Sequence, residues 1–238
     1  MKKTKFSQWL KQSLLFVSRG PLVWAGYTLF AGILMTVGRA SLALGILLSV
    51  TSLFVGVGVT KYIDLKYSAE NPVGFYWAVN KSLPLAVLAA GTIMVFWFAF
   101  MVVANLFTGE LYKIGQFFFF WELTPENLNH KSTRETADWI YSYSNITLIF
   151  TLLMLTTFAN WFSYPLMLFK NHSWSQAIEL GNHAVTRNQN AMHKMLGFIF
   201  AEAILCTTVT PLLTPVLYML TSTMMYVSYK GIFEAGSK

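Results

Sequence analysis

Apolar residues fall in long blocks along this chain, separated by short polar punctuation. The first block covers 21–37 and opens on Pro21, a position that suits the first turn of a helix. The second covers about 41–60. Only Gly38-Arg39-Ala40 lies between them, so the pair is predicted to form a tight helical hairpin. A third block covers about 83–108. A fourth covers about 145–169, with Pro165 expected to kink its end. Each is close to the ~20 residues that cross a hydrocarbon core as a helix. The stretch 195–229 is interrupted by Thr210-Pro211 and Pro215. It reads as two helices turning near Pro211, the first short enough to sit shallow or partly re-entrant. One tilted and kinked helix with an interfacial tail is the rival reading.

Three segments between the blocks carry a second pattern. Each contains a Trp, has apolar residues at roughly helical spacing and leads into an apolar block. The first shows Phe6, Trp9, Leu10, Leu14 and Val17. The second begins at Asn71-Pro72 and shows Val73, Tyr76, Trp77, Val79 and Leu83. The third begins at Ser173 with Gln176 three residues on, a capping-box spacing, and shows Trp174, Ala177, Ile178, Ala184 and Val185. Basic amphipathic helices of this kind lie in the membrane interface. The chain therefore reads as three units of interfacial helix, span, span. The alternative is that the resemblance among the three is only what any cytoplasmic loop of this length would show. Segment 109–144 differs. It holds the aromatic block Phe117 to Trp121 and the helix-start signals Thr124-Pro125 and Ser132-x-x-Glu135, which predict short surface helices.

Composition turns this pattern into a membrane assignment. Of 238 residues, 55% are hydrophobic and 11% charged, and mean hydropathy is +0.51. Soluble domains carry roughly 25% charged residues. This composition excludes a soluble enzyme, a disordered chain and a nucleic-acid-binding domain. The net charge of +7 then takes its meaning from where it sits. With the N-terminus inside, the inner segments hold Lys2, Lys3, Lys5, Lys11, Arg19, Lys61, Lys66, Lys81, Lys170, Arg187, Lys194, Lys230 and Lys238. The outer segments hold Arg39, Lys113, Lys131 and Arg134. Cytoplasmic loops collect Lys and Arg, so this distribution favours six spans with both termini inside over five. The expected fold is all-α: one integral membrane domain over 1–238, a polytopic bundle of about six helices. Its cytoplasmic interfacial segments are 1–20, 62–82 and 171–194, and 109–144 is its outer segment. The expected location is a bacterial inner membrane. Cys206 is the single cysteine, so no intrachain disulfide forms.

Candidate chemistry is sparse. Glu202 lies mid-block, where a carboxylate is costly and marks either a proton or cation path or an interhelical tie. Asn105, Asn160, Thr156 and Thr157 are its candidate partners. Ser41, Gly45, Ser49, Ser52 and Gly56 recur every three or four positions, a smooth face for close helix packing at the bundle centre or against a second copy. Glu179 and His183 share a helix face, but no third metal ligand follows at a familiar spacing. No metal or cofactor is expected. Phosphate loops and nucleophile motifs are absent from the sequence.

The phrases Tyr164-Pro165, Ser173-Trp174-Ser175-Gln176-Ala177, Thr186-Arg187-Asn188, Pro215 and Tyr229-Lys230-Gly231-Ile232-Phe233 resemble an uncharacterised bacterial group of six-span inner-membrane proteins. The likeness covers about the C-terminal third. The longer, acidic and aromatic outer segment departs from the group's pattern. The resemblance implies the six-span fold and carries over no catalytic residue. The expected role is a non-enzymatic scaffold, assembly or partner-binding subunit, whose partner is a membrane protein or a second copy. The alternative is a transporter or channel using Glu202. A lipid-directed membrane enzyme ranks last.

Overall fold

Each apolar block becomes a helix, and several helices run well past the block that defines them. The computed structural model describes residues 3–68, 75–110, 112–119, 124–129 and 131–234, and no strand occurs among them. The elements are α1 (Phe6–Arg19), α2 (Pro21–Gly38), α3 (Leu42–Ser68), α4 (Phe75–Thr108), α5 (Tyr112–Phe119), α6 (Pro125–Asn129) and α7 (Thr133–Thr157). They are followed by α8 (Ser163–Lys170), α9 (Trp174–Arg187), α10 (Gln189–Thr208), a 3-10 turn (Pro211–Leu213), α11 (Thr214–Tyr229) and a π-turn (Lys230–Glu234). Four stretches are long and apolar enough to cross a membrane: Pro21–Gly38, Leu42–Tyr67, Tyr76–Thr108 and Thr133–Thr157. The chain is an all-helical membrane protein. α10 and α11 fall outside that set, and α11 has only 16 residues.

Several boundaries differ from the sequence expectation, each for a local reason. The fourth helix starts at Thr133, not near 145, because Ser132 and Glu135 form a reciprocal capping box that nucleates it outside the apolar block. Those residues were expected to open a short surface helix. The helix also stops at Thr157, before Pro165. Asn160 breaks it: the Asn160 side-chain oxygen accepts from the Phe162 backbone N–H at 3.0 Å, and the Ser163 hydroxyl accepts from the Asn160 N–H at 3.2 Å. Pro165 then sits in the first turn of α8, where no donor is lost. The second amphipathic segment is continuous with the span after it, and Pro84 lies inside α4. Its proposed start at Asn71-Pro72 lies outside the described residues. The first and third amphipathic segments are separate helices, α1 and α9, each divided from the next helix by one residue. Between α10 and α11 the chain turns at 209–213, as two helices and not one.

α3 occupies the centre and touches α2, α4, α7 and α11. Its apolar window is 78% buried, against 17% for that of α4, which packs mainly on α3 and touches α5, α7 and α8 more lightly. Glycine sets the close approaches. A Cβ on Gly38 would fall 2.9 Å from the Gly45 Cα, so the α2–α3 hairpin closes backbone to backbone. A Cβ on Gly58 would meet the Ser82 hydroxyl at 2.7 Å and the Ala78 carbonyl at 3.1 Å, so α4 lies close on α3. α1 presents Trp9, Ser13 and Phe16 inward, mainly against α11, and leaves Leu14 and Leu15 outward. Phe117 of the aromatic block is buried against Phe98 (5.2 Å between ring centroids), so it packs and does not mark the headgroup level. Phe120 and Trp121 lie outside the described residues.

The helix ends sort into two sets. At one end Thr4 meets Asn188, Lys61 meets Glu234, Asp64 meets Lys230, and Tyr164 meets Ser82. At the other, Arg39 meets Ser142, Arg134 meets the Thr208 carbonyl, and Thr214 meets Asn145. Among the described basic residues, Arg39, Lys113, Lys131 and Arg134 belong to the second set. There Glu110 accepts from Lys113 at 2.6 Å and holds that ammonium's pKa above its usual value. Arg39 is buried between the rings of Tyr143 and Trp139, with centroids at 3.8 and 4.7 Å.

Candidate functional site

A hydroxyl-rich helix at the bundle centre raises the first question, because polar atoms at that depth need partners. Along α11 most of them have one. The Tyr218 hydroxyl donates to the Ser144 carbonyl at 2.6 Å, and Thr214 donates to the Asn145 side-chain oxygen at 3.1 Å. Ser222 reaches the Leu53 carbonyl at 2.7 Å as well as its own helix, while Thr221 and Thr223 bond back one turn. Trp161 donates to the Ser228 hydroxyl at 2.9 Å. On α3, Ser49 pairs with Ser144 at 2.9 Å, and Tyr27 donates to the Ser52 carbonyl at 2.7 Å.

The small-residue face Ser41, Gly45, Ser49, Ser52 and Gly56 lies inside this seam. Ser41 caps the start of α3 by accepting from Leu44 N–H at 3.2 Å. Gly45 lies against Gly38 and Tyr143, and a Cβ on Gly56 would sit 2.5 Å from the Ser222 hydroxyl and 2.6 Å from that of Tyr27. All five are buried and meet α2, α7 or α11 of the same chain.

The intramembrane polar residues separate in the structure. Glu202 is half-buried at the edge of the α10 face made by Ile199, Ala203 and Cys206, and it forms no hydrogen bond or ion pair with another described residue. Asn160 is engaged elsewhere: its side-chain amide donates to the Ile178 carbonyl at 3.0 Å and to Asn182 at 3.4 Å, tying α9 to the α7–α8 break. Thr156 and Thr157 both donate to the Leu153 carbonyl. Asn105 is buried at the far end of α4, where its carbonyl accepts from Glu110 N–H at 3.1 Å. Glu179 and His183 are both exposed on α9, and His130 lies outside the described residues.

Two features escaped the sequence reading. The first is an ionic cluster near the ends of α3 and α11. Asp64 is buried, accepts from Lys230, and accepts a further hydrogen bond from the Tyr226 hydroxyl. Lys61 pairs with Glu234 at 3.3 Å and lies over the rings of Phe169 and Tyr226 at 5.5 and 5.6 Å. A lone carboxylate near a span end reads as a loop charge. Only the fold shows that α3 runs two further turns and carries Asp64 into the protein. The second is a lateral groove of about 580 Å³ beside α4. Leu88 and Thr92 of α4 form one wall and Met154 of α7 the other, the stacked rings of Phe96 and Phe158 (5.0 Å between centroids) join the walls, and Tyr164, Met167 and Trp174 close one end. Its residues come from four segments far apart in the chain, so no local pattern announces it.

No family model, curated protein or solved structure matches this chain.

The Asp64 cluster predicts that losing either partner is costly. Asp64→Ala leaves the buried Tyr226 hydroxyl without its acceptor and should cost about 3 kcal/mol. Lys230→Met leaves the buried Asp64 carboxylate without the Lys230 ammonium and should cost at least as much. Unfolding in detergent micelles reads both, and small losses from both would contradict the arrangement.

Proposed function

We propose that this chain is a six-span protein of a bacterial inner membrane, with both termini on the cytoplasmic side, and that it acts as a non-enzymatic scaffold or assembly subunit by holding a partner's transmembrane helix against α4. The observation that carries the reading is the groove beside α4. A helix of 34 residues spans about 50 Å at 1.5 Å per residue, more than a hydrocarbon core of about 30 Å needs. Only 17% of its apolar window is buried in its own chain, and Val95, Phe96, Phe100, Val103 and Phe107 face outward. The groove gives this face shape. Without water to expel, helix association in a bilayer depends on close packing, which a groove supplies and a smooth face does not. The polar atoms of the seam, by contrast, bond mainly to one another, which supports a structural role for the bundle centre.

The six-span topology is supported by the sorting of helix ends. α10 and α11 join the basic end at Gln189 and Tyr229 and meet the opposite end at their connecting turn. α11 needs little hydropathy, because from Leu217 to Tyr229 it is surrounded almost wholly by protein. The Lys and Arg excess at the first end supports placing that end in the cytoplasm.

Site-specific photocrosslinking in native membranes tests the docking role. A photoreactive residue at Leu88 or Thr92 should give a discrete protein adduct, while one at Leu29 on α2 should not. Thr92→Trp, which fills the groove, should remove the adduct formed from Leu88. A dimer-sized adduct would make the partner a second copy. The same adducts from Leu88 and Leu29, or lipid adducts alone, would contradict the proposal.

The transporter reading keeps one supporting observation, the half-buried Glu202 without a hydrogen-bonding partner among the described residues. It predicts proton-coupled flux in liposomes that Glu202→Gln abolishes while the fold persists. Flux unaffected by that substitution would remove Glu202 from the path.

A further inference from the structure

The segment before α1 folds back onto the α9–α10 junction, and the space between them gathers positive charge. Thr4 donates to the side-chain oxygen of Asn188 through its backbone N–H at 2.9 Å and its hydroxyl at 3.4 Å. Asn188 is buried and spends its amide on the Ala184 carbonyl at 3.0 Å, so the contact is anchored on both sides. The cavity so formed measures about 960 Å³. The cations Lys3, Lys5, Arg187 and Lys194 line it together with His193, and among the described residues no Asp or Glu does. None of these cations forms an ion pair or hydrogen bond with another described side chain. Of the other lysines at this end, Lys61 has Glu234 and Lys230 has Asp64, while Lys11, Lys66 and Lys170 form no ion pair with a described residue. Four solvent-exposed permanent charges of one sign, gathered at one cavity by the anchored segment before α1, make a focus of positive potential for an anion.

From this geometry we infer that the cavity binds a ligand with clustered phosphate groups. Phosphate is the anion that Arg and Lys recognise together, through forked and point-charge hydrogen bonds. The cavity's apolar edge favours a lipid source. Phe6 lines it and packs on Phe198 at 5.8 Å between centroids, and Phe198 belongs to the apolar part of α10. A headgroup held by the lysines would therefore have its chains beside the α1–α10 contact. Basic pockets between transmembrane helices on the cytoplasmic side are known to take doubly anionic phospholipid headgroups. The phosphate site stands on the basic cavity, its lipid source rests on the proposed cytoplasmic placement of this end, and neither depends on what occupies the groove beside α4.

The test uses the full chain in nanodiscs and in lipid-free detergent. Native mass spectrometry measures retention of diphosphatidylglycerol against phosphatidylcholine. The variant pair Arg187→Gln with Lys194→Gln should weaken diphosphatidylglycerol binding by roughly tenfold or more. The pair Lys66→Gln with Lys81→Gln removes the same charge from the same end outside the cavity and should change binding by less than about twofold. Arg187→Lys, which keeps the charge, should retain most of it, and unchanged unfolding midpoints confirm that each variant folds. A second arm measures inorganic pyrophosphate binding in detergent. Binding there that the cavity pair abolishes, without lipid selectivity in nanodiscs, assigns the site to a soluble phosphorylated ligand. Equal losses from both pairs would reduce the cavity to general surface charge and overturn the inference. So would the absence of both lipid selectivity and pyrophosphate binding.

Discussion

A polar atom buried away from water must find its partner within the protein, and α11 shows what that requirement does to a fold. The helix carries Thr214, Tyr218, Thr221, Ser222, Thr223, Tyr226, Ser228 and Tyr229 in 16 residues. Lipid offers these groups nothing. Thr221 and Thr223 bond within α11, while Thr214, Tyr218, Ser222, Tyr226 and Ser228 find partners because α11 lies at the centre with groups of α3, α7 and the α7–α8 link within reach. Ser222 to Leu53, Tyr218 to Ser144 and Trp161 to Ser228 are that solution. The small residues of α3 follow from it, because Gly56 leaves room where Ser222 and Tyr27 converge. So does the division of labour among the helices. α3 and α11 are enclosed, while α2 and α4 take the lipid-facing positions, where apolar side chains are stable without partners.

The ends of the bundle obey a looser version of the same rule. Near the interface, charge is tolerated if it is paired or shielded. Arg39 is shielded by two rings, and Asp64 is paired with Lys230 and Tyr226. At the α9–α10 junction several exposed cations gather around one cavity with no described acid among them. That clustering is why the cavity reads as a binding site, and the burial of Asp64 with its partners is why that residue reads as a structural tie.

Much of this was legible in the sequence. Block lengths gave the all-helical membrane fold, and Gly38-Arg39-Ala40 gave the tight turn between α2 and α3. The regular small residues of α3 marked a packing face, and Ser173 with Gln176 gave the start of α9. What misled was the equation of helix with apolar block. α7 begins twelve residues early because a capping box, not hydropathy, starts it. α4 absorbs its amphipathic lead because Pro84 does not stop it. Glu202 stood out for its apolar neighbours in sequence, yet its four candidate partners all point their chemistry elsewhere or sit at another depth. Asp64 passed unnoticed because its neighbours Lys61 and Lys66 made the segment look like a loop. Its partners lie more than 160 residues away. The groove and the basic cavity are juxtapositions of distant segments, which no local pattern encodes.

The account turns on whether the short polar helix α11, with α10 before it, crosses the bilayer. Labelling of single cysteines in a Cys206→Ala background tests this directly. A membrane-impermeant maleimide applied to intact spheroplasts should label Leu212→Cys, at the α10–α11 turn, and should reach Asn190→Cys, at the start of α10, only after permeabilisation. Labelling of both positions from the same side would contradict the crossing and, with it, the central placement of α11 on which the rest of the fold depends.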